Sequence, residues 1–349
     1  MTSTRATAVL VPVLSVLLSF LVGGVIVVIS GHDPLAAYVA LLQGAFGSVF
    51  NLANTLTVAV PLMLAGLGVA FTFRAGLFNI GAEGQYWLGS IAAAWVGYAV
   101  HGLPVWVHLP LALLAGTLAG ALWAALIPGV LKAWTGAHEV ITTMMMSYIA
   151  INLARYLIEG GPMMAPGYTP QSPAVLPTAT LPALVPGTQL SWGLVLAVLA
   201  AVAVWFVLYR TTFGFEVRAA GLNGRAARYA GMNVARIIVL AMFVSGALAG
   251  LAGAVQTLGV NHRLFDAFNA GYGYTAIVVA LLGKNNPWGV LAAAVLFGAL
   301  NAGASAMQMQ AGVPAHLVDV VQGMIIFFIA VDGIIRSVLR RTRKEAAQA

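Results

Sequence analysis

The residues best able to do chemistry in this chain are gathered in Phe73-Arg-Ala-Gly-Leu-Phe-Asn-Ile-Gly-Ala-Glu-Gly-Gln85. An arginine, an asparagine, a glutamate, a glutamine and three glycines separate two apolar runs there. An ionisable side chain within a membrane span costs at least a few kcal/mol unless it is paired or wet. Gly76, Gly81 and Gly84 break helix, and the backbone groups they free need partners in protein or water. The chemistry on offer is hydrogen bonding rather than bond-making. One reading is a discontinuous helix lining a solute pathway, with Phe78, Asn79, Glu83, Gln85 and Tyr86 toward the solute. A plainer reading stays open, a cytoplasmic elbow in which Arg74 and Glu83 pair to pin a bend.

A shortened echo, Phe268-Asn-Ala-Gly271, matches Phe78-Asn-Ile-Gly81 and makes Asn269, Tyr272 and Tyr274 the counterparts in the second half. Further along, His138 to Asn152 carries Thr142, Thr143, Ser147, Tyr148 and Asn152 as a polar stripe. Such hydroxyls often bond backbone between helices; the alternative is a polar wall, with Tyr148 and Asn152 facing a small hydroxylated solute. Glu139 is expected to cap or pair at this span's inner end. Gly116-Thr-Leu-Ala-Gly120 and Gly246-Ala-Leu-Ala-Gly250 are small-x-x-x-small packing faces. His262 with Asp266, and His316 with Asp319, supply too few ligands for a metal and are expected to pair at the outer face. Asp332 and Arg336 have ion-pair spacing. There are no cysteines and no phosphate-cradling Gly-x-x-x-x-Gly-Lys-[Ser/Thr], so thiolate chemistry, disulfides and ATP binding by that route are excluded. No cofactor, metal or catalytic residue is expected, and the chain reads as a non-catalytic subunit.

The elements that must hold these residues follow from composition. The chain is 61% hydrophobic and 7% charged, against roughly 25% charged in soluble domains. It is therefore expected to be an all-α integral membrane protein. Apolar runs at Ala8–Ser30, Leu52–Phe73, one ending near His101, Val107–Leu131, Glu139–Ile158, Leu190–Leu208, Ile237–Leu258, Tyr274–Leu282, Trp288–Ala304 and Leu317–Ile335 give about ten transmembrane helices. Both termini are then cytoplasmic, and 14 of the 16 lysines and arginines fall inside, as the positive-inside rule requires. That distribution accounts for the net charge of +7 through headgroups and cytoplasm, without nucleic acid. The two Phe-Asn-x-Gly elements fall on opposite faces, the arithmetic of inverted five-helix repeats. The whole chain, 1–349, reads as one permease domain with halves at about 1–188 and 189–349. Between them, the proline-rich stretch Glu159–Thr188 reads as a connector draped over the protein.

The long polar segment 210–236 reads as a short cytoplasmic helical hairpin. Ala219, Ala220, Gly221, Ala226, Ala227, Ala230 and Gly231 give it a small-residue surface suited to another protein's groove, with Arg218, Arg225 and Arg228 as a charged rim and Asn223 between the two arms. This segment resembles the coupling loop of the permeases of bacterial ATP-binding-cassette (ABC) importers, in the branch serving ribose-type sugars, branched-chain amino acids and nucleosides. The likeness covers nearly the whole chain. Arg74 to Gln85, His138 to Tyr148 and Gly271-Tyr-Gly-Tyr-Thr-Ala-Ile-Val-Val-Ala-Leu-Leu-Gly283 are most similar to the nucleoside-type permeases, although the branch often has asparagine at the position of His138.

The resemblance implies a permease subunit of the bacterial plasma (inner) membrane that works by alternating access. Its implied partners are a cytoplasmic ABC ATPase, which hydrolyses the ATP, a second permease that is homologous or identical, and an extracytoplasmic solute-binding lipoprotein. Nucleosides are the implied solute; a simple sugar or branched-chain amino acid is the alternative. A stand-alone secondary transporter or channel is disfavoured by the shortage of intramembrane carboxylates.

Overall fold

The computed structural model describes residues 2–265 and 271–328, with side chains from Val13 onward. Asp266, Asn269 and the Asp332–Arg336 pair lie outside the described residues. Within those residues the structure is helical, with two isolated bridges and no extended strand. Six helices are long and apolar enough to cross a membrane: Val49–Arg74, Val105–Thr135, Glu139–Ile158, Gly193–Arg210, Val234–Asn261 and Pro287–Ala311. Four shorter apolar helices accompany them, at Val13–Ile29, Pro34–Phe46, Tyr272–Leu282 and His316–Phe328.

The chain divides into two compact units, residues 56–296 and residues 1–55 with 297–349. The first is built round three mutually packed helices, α4 (Ala82–Ala99), α5 (Val105–Ala124) and α11 (Val234–Gln256). Their approach rests on the two small-residue motifs, which meet each other: a Cβ on Gly120 would stand 2.7 Å from Gly250 Cα, and Gly246 and Gly250 pack against the carbonyls of Gly120 and Gly116. The pairing runs antiparallel. α5 continues through a π-helical turn, Ala125–Gly129 around Pro128, into α6 (Val130–Thr135), and α11 ends in a second π-helical turn, Thr257–Asn261. Proline, which lacks an N–H, accounts for the first.

Around this core stand α3 (Val49–Arg74), α7 (Glu139–Ile158), α8 (Gly193–Arg210), the short pair α9 (Thr212–Leu222) and α10 (Gly224–Tyr229), and α12 (Tyr272–Leu282). The α9–α10 pair is the helical hairpin expected over 210–236, with Thr211 and Asn223 as side-chain N-caps. The proline-rich connector is tied down by backbone bonds from Val175 to His262 (2.9 Å), Leu176 to Gly97 (2.9 Å) and Leu181 to Leu258 (2.9 Å). Buried His108 bonds Thr178 Oγ1 at 2.8 Å and the Val96 carbonyl at 3.0 Å, adding a side-chain tether to the same stretch.

The second unit holds α1 (Thr2–Ile29), α2 (Pro34–Phe46), α14 (His316–Phe328), the start of α3 and most of α13 (Pro287–Ala311). Asp33 N-caps α2, with Pro34 at its first position. Tyr38 donates its hydroxyl to the Phe20 carbonyl and sets its ring edge-on to Phe20 at 5.3 Å. His316 and Asp319 pair at 3.3 Å on the surface, as their spacing suggests.

The α5–α11 contact leaves no room for a side chain. Gly120→Val is expected to destabilise the purified protein, toward or beyond the upper end of the about 1–3 kcal/mol typical of overpacking. Gly323→Ala, which faces open space inside α14, is the control and is expected to leave the midpoint of thermal unfolding unchanged or slightly raised, since alanine is the better helix former.

Candidate functional site

The polar stretch that joins α3 to α4 is an elbow, closed at its first corner by backbone alone. Gly76 adopts φ +73°, Leu77 N–H bonds the Thr72 carbonyl at 2.9 Å and Gly76 N–H that of Phe73 at 3.1 Å. This is a Schellman stop, which requires a residue free to be left-handed. From Leu77 to Ile80 the chain is non-helical, and α4 starts at Ala82.

The freed N–H groups are met by one face of α7. Glu139 accepts from the Phe78 backbone while pairing with Lys132 at 2.7 Å. Thr143 Oγ1 accepts from Ile80 N–H at 3.3 Å, and Ser147 Oγ from Gly84 N–H at 3.2 Å. Each hydroxyl also donates back into its own helix, to the carbonyls of Glu139 (2.7 Å) and Thr143 (3.2 Å). The stripe thus divides: Thr143 and Ser147 bond backbone, whereas Tyr148 and Asn152 are exposed on another face, Asn152 donating to the Tyr148 carbonyl at 2.8 Å.

Inside the elbow two amides are locked together. Asn79 is fully buried; its Nδ2 donates to Gln85 Oε1 (3.0 Å) and Ser245 Oγ (2.9 Å), and its Oδ1 accepts from Gly81 N–H (2.9 Å) and Gln85 Nε2 (3.2 Å). In this conformation Asn79 and Gln85 face each other. Ser245, on α11, is a partner that sequence reasoning did not single out; its one signal is a hydroxyl next to the packing glycine Gly246.

Glu83 is 3% exposed and does not reach Arg74. Its Oε2 accepts from Gly273 N–H of α12 at 2.8 Å and its Oε1 from Trp87 Nε1 at 3.3 Å. A Cβ on Gly273 would run into the backbone of Ala82 and Glu83, so the first turns of α4 and α12 touch. Arg74 goes to the other end of α12, with Nε donating to the Asn285 carbonyl at 2.9 Å and Nη2 to that of Lys284 at 3.3 Å. In place of the Arg74–Glu83 pair of the plainer sequence reading there are two separate contacts, basic at the C-terminal end of α12 and acidic at its N-terminal end. That is the arrangement its dipole favours. α12 also begins at Tyr272 rather than Tyr274, because Gly271 turns left-handed (φ +74°) and Glu83 supplies the cap from outside.

The aromatics fall into two groups. Tyr86 is fully buried and sets its ring against Tyr272, centroids 5.9 Å apart. Phe78, Tyr148 and Tyr274 are exposed, at 36%, 57% and 37%. Phe78 lies against Phe73 at 5.0 Å, and Tyr274 is within electrostatic reach of Tyr148 and Glu83. Two exposed tyrosines, Tyr148 on α7 and Tyr274 on α12, thus keep ring surface outside the buried network.

In the hairpin the structure separates residues that the sequence groups. Gly221 packs on the Arg74 carbonyl and the Ala75–Gly76 backbone. Ala227 is buried, and Ala219 and Ala220 are half-buried. Arg218 leaves the rim and lies over the Tyr209 ring at 5.2 Å. Asn223 accepts from the backbone of Arg225 and Ala226 at 3.0 and 3.1 Å. Outward stand Leu222 (89% exposed) and Tyr229 (94%), with Arg225, Ala226, Arg228 and Gly231.

Residues 51–330 match the family described as "Branched-chain amino acid transport system / permease component". The chain belongs to this permease family. It is similar to the guanosine ABC transporter permease protein NupP of Bacillus subtilis, 42% identical over 98% of this chain and 99% of that one. The glucose ABC transporter permease protein TsgB13 of Haloferax volcanii is also 42% identical, over 91% of this chain and 86% of its own. The nucleoside ABC transporter permease protein NupB of Lactococcus lactis is 36% identical, over 96% and 94%. Family and helices together make this a multi-pass transport component of the plasma membrane.

Glu83→Ala removes an acceptor from two donors, each costing about 1–3 kcal/mol when buried without a partner. It is expected to lower the unfolding midpoint in detergent markedly, while Glu83→Gln, which keeps an oxygen toward Gly273, loses clearly less.

Proposed function

We propose that this chain is the membrane-spanning subunit of an ABC importer for nucleosides. The observation that carries the reading is similarity along essentially the whole chain to permeases named for guanosine and nucleosides. In this reading a binding lipoprotein delivers solute at the outer face, a second permease completes the pathway, and a separate cytoplasmic ATPase hydrolyses ATP. Ten spans, both termini inside and inverted five-helix repeats over one domain, 1–349, belong to the same proposal. In support, Glu83 and Gly273 hold equivalent positions when Phe78-Asn-Ile-Gly81 is aligned with Phe268-Asn-Ala-Gly271, and these two residues touch. Equivalent positions meet where they lie on the two-fold axis that relates inverted repeats.

The elbow divides the labour at the pathway. Asn79 and Gln85 spend their amides on each other and hold the wall, as do Tyr86 and Tyr272. Phe78, Tyr148 and Tyr274 keep exposed ring surface, the kind on which a nucleobase stacks. Asn152, and Asn269 on the second-half echo, complete the proposed pathway set, while Glu83 is buried and holds the start of α12. A sugar could use the same tyrosines through their hydroxyls, and the equal identity to a glucose permease favours that second reading.

The hairpin is the proposed seat of the ATPase. Gly221 and Ala227 face this chain, so the knob offered to a partner is Leu222 and Tyr229 ringed by Arg225 and Arg228. An exposed leucine and tyrosine suit an apolar groove, and the arginines suit an acidic rim.

Two outcomes are expected. The transporter reconstituted with its lipoprotein, second permease and ATPase takes up labelled guanosine in an ATP-dependent manner; excess unlabelled nucleoside competes and glucose does not. The reverse competition would establish the sugar reading. In the same vesicles, Leu222→Asp or Tyr229→Asp lowers ATPase co-purification and uptake together, by roughly tenfold or more if the side chain anchors the contact, without altering the thermal stability of the permease itself.

A further inference from the structure

We infer that Arg74 is the positioning residue through which the cytoplasmic hairpin moves α12, an inference that rests on the proposed role of the hairpin as the ATPase seat. Gly221 of α9 meets the Arg74 carbonyl and the Ala75–Gly76 backbone with no side chain between, so a displacement of α9 is passed on without slack. Gly76, at φ +73°, is the corner that receives it. From the same corner the Arg74 guanidinium reaches the carbonyls of Lys284 and Asn285, just past the end of α12. Those two residues are successive non-glycine residues in the left-handed region, φ 51° and 54°. Such a turn is kept only where its surroundings hold it, and the two guanidinium bonds are part of that hold.

At the far end of the elbow Glu83 fixes the N-terminus of α12 at Gly273. The segment from Arg74 to Glu83 is thus a strap that grips α12 at both ends, and α9 bears on the Arg74 end. Movement of α9 swings the C-terminal end of α12 about the Glu83–Gly273 contact. A simple helix-end cap would need the guanidinium alone. It would not explain why the backbone bearing that guanidinium is also the surface on which α9 is seated.

The test is made in the fully assembled, reconstituted transporter. In Arg74→Ala, ATP hydrolysis continues while solute moved per ATP falls roughly tenfold, within the range of coupling between distant sites. Arg74→Lys, which keeps one donor and the charge but loses the fork, recovers part of that ratio. An unchanged ratio in Arg74→Ala, including one in which hydrolysis and uptake fall equally, overturns the inference. Because the chain has no cysteine, spin labels can be placed on this subunit at Thr212→Cys on α9 and at Asn286→Cys, both exposed. With Arg74 present, their separation stays constant when nucleotide is trapped; with Arg74→Ala it shifts. Separation that shifts with Arg74 in place contradicts the relay. Normal coupling in Leu222→Asp would instead remove the ATPase seat itself, a separate failure.

Discussion

The carboxylate of Glu83 sits where the first turns of α4 and α12 press together. Each helix N-terminus carries roughly half a positive charge in its unsatisfied N–H groups, and two such ends in an apolar interior would repel. An anion between them turns repulsion into attraction. Glu83 serves α4 from within its first turn, caps α12 through Gly273 and takes the indole hydrogen of Trp87. Gly273 is a glycine because any side chain there would displace the backbone that carries the carboxylate. The rest of the unit is arranged to keep that contact in place.

Its support comes in layers. α7 offers Glu139, Thr143 and Ser147, one turn apart, to the N–H groups of the elbow. α11 offers Ser245 to the Asn79–Gln85 pair. The antiparallel glycine faces of α5 and α11 allow α11 to come close enough to do so. The polar groups of the elbow are therefore largely spent on structure, and the side chains that stay exposed nearby, Phe78, Tyr148 and Tyr274, are aromatic.

Much of this is readable in the sequence because membranes impose strong rules. Apolar runs of sufficient length announce the long helices, Gly76 and the polar residues after it announce the elbow, and alanine, glycine and arginine without long apolar runs announce the hairpin. The partners are not readable. Arg74 and Glu83 look paired because they are near in sequence, yet each finds α12, whose ends lie about two hundred residues away. Gly221 belongs to a small-residue helix that could have turned either face outward; only the tertiary seat on Arg74–Gly76 decides. Helical spacing likewise gives one stripe on α7, and packing splits it, burying Thr143 and Ser147 and leaving Tyr148 and Asn152 exposed.

The most direct measurement of the Glu83 contact is amide hydrogen exchange in the purified protein, comparing wild type with Glu83→Ala. If the carboxylate holds the two N-termini together, exchange speeds up selectively in peptides covering 271–276 and 82–87, while peptides from the α5–α11 contact keep their protection. Unchanged exchange at 271–276 would show that α12 is held by something else, and the account built on Glu83 would be wrong.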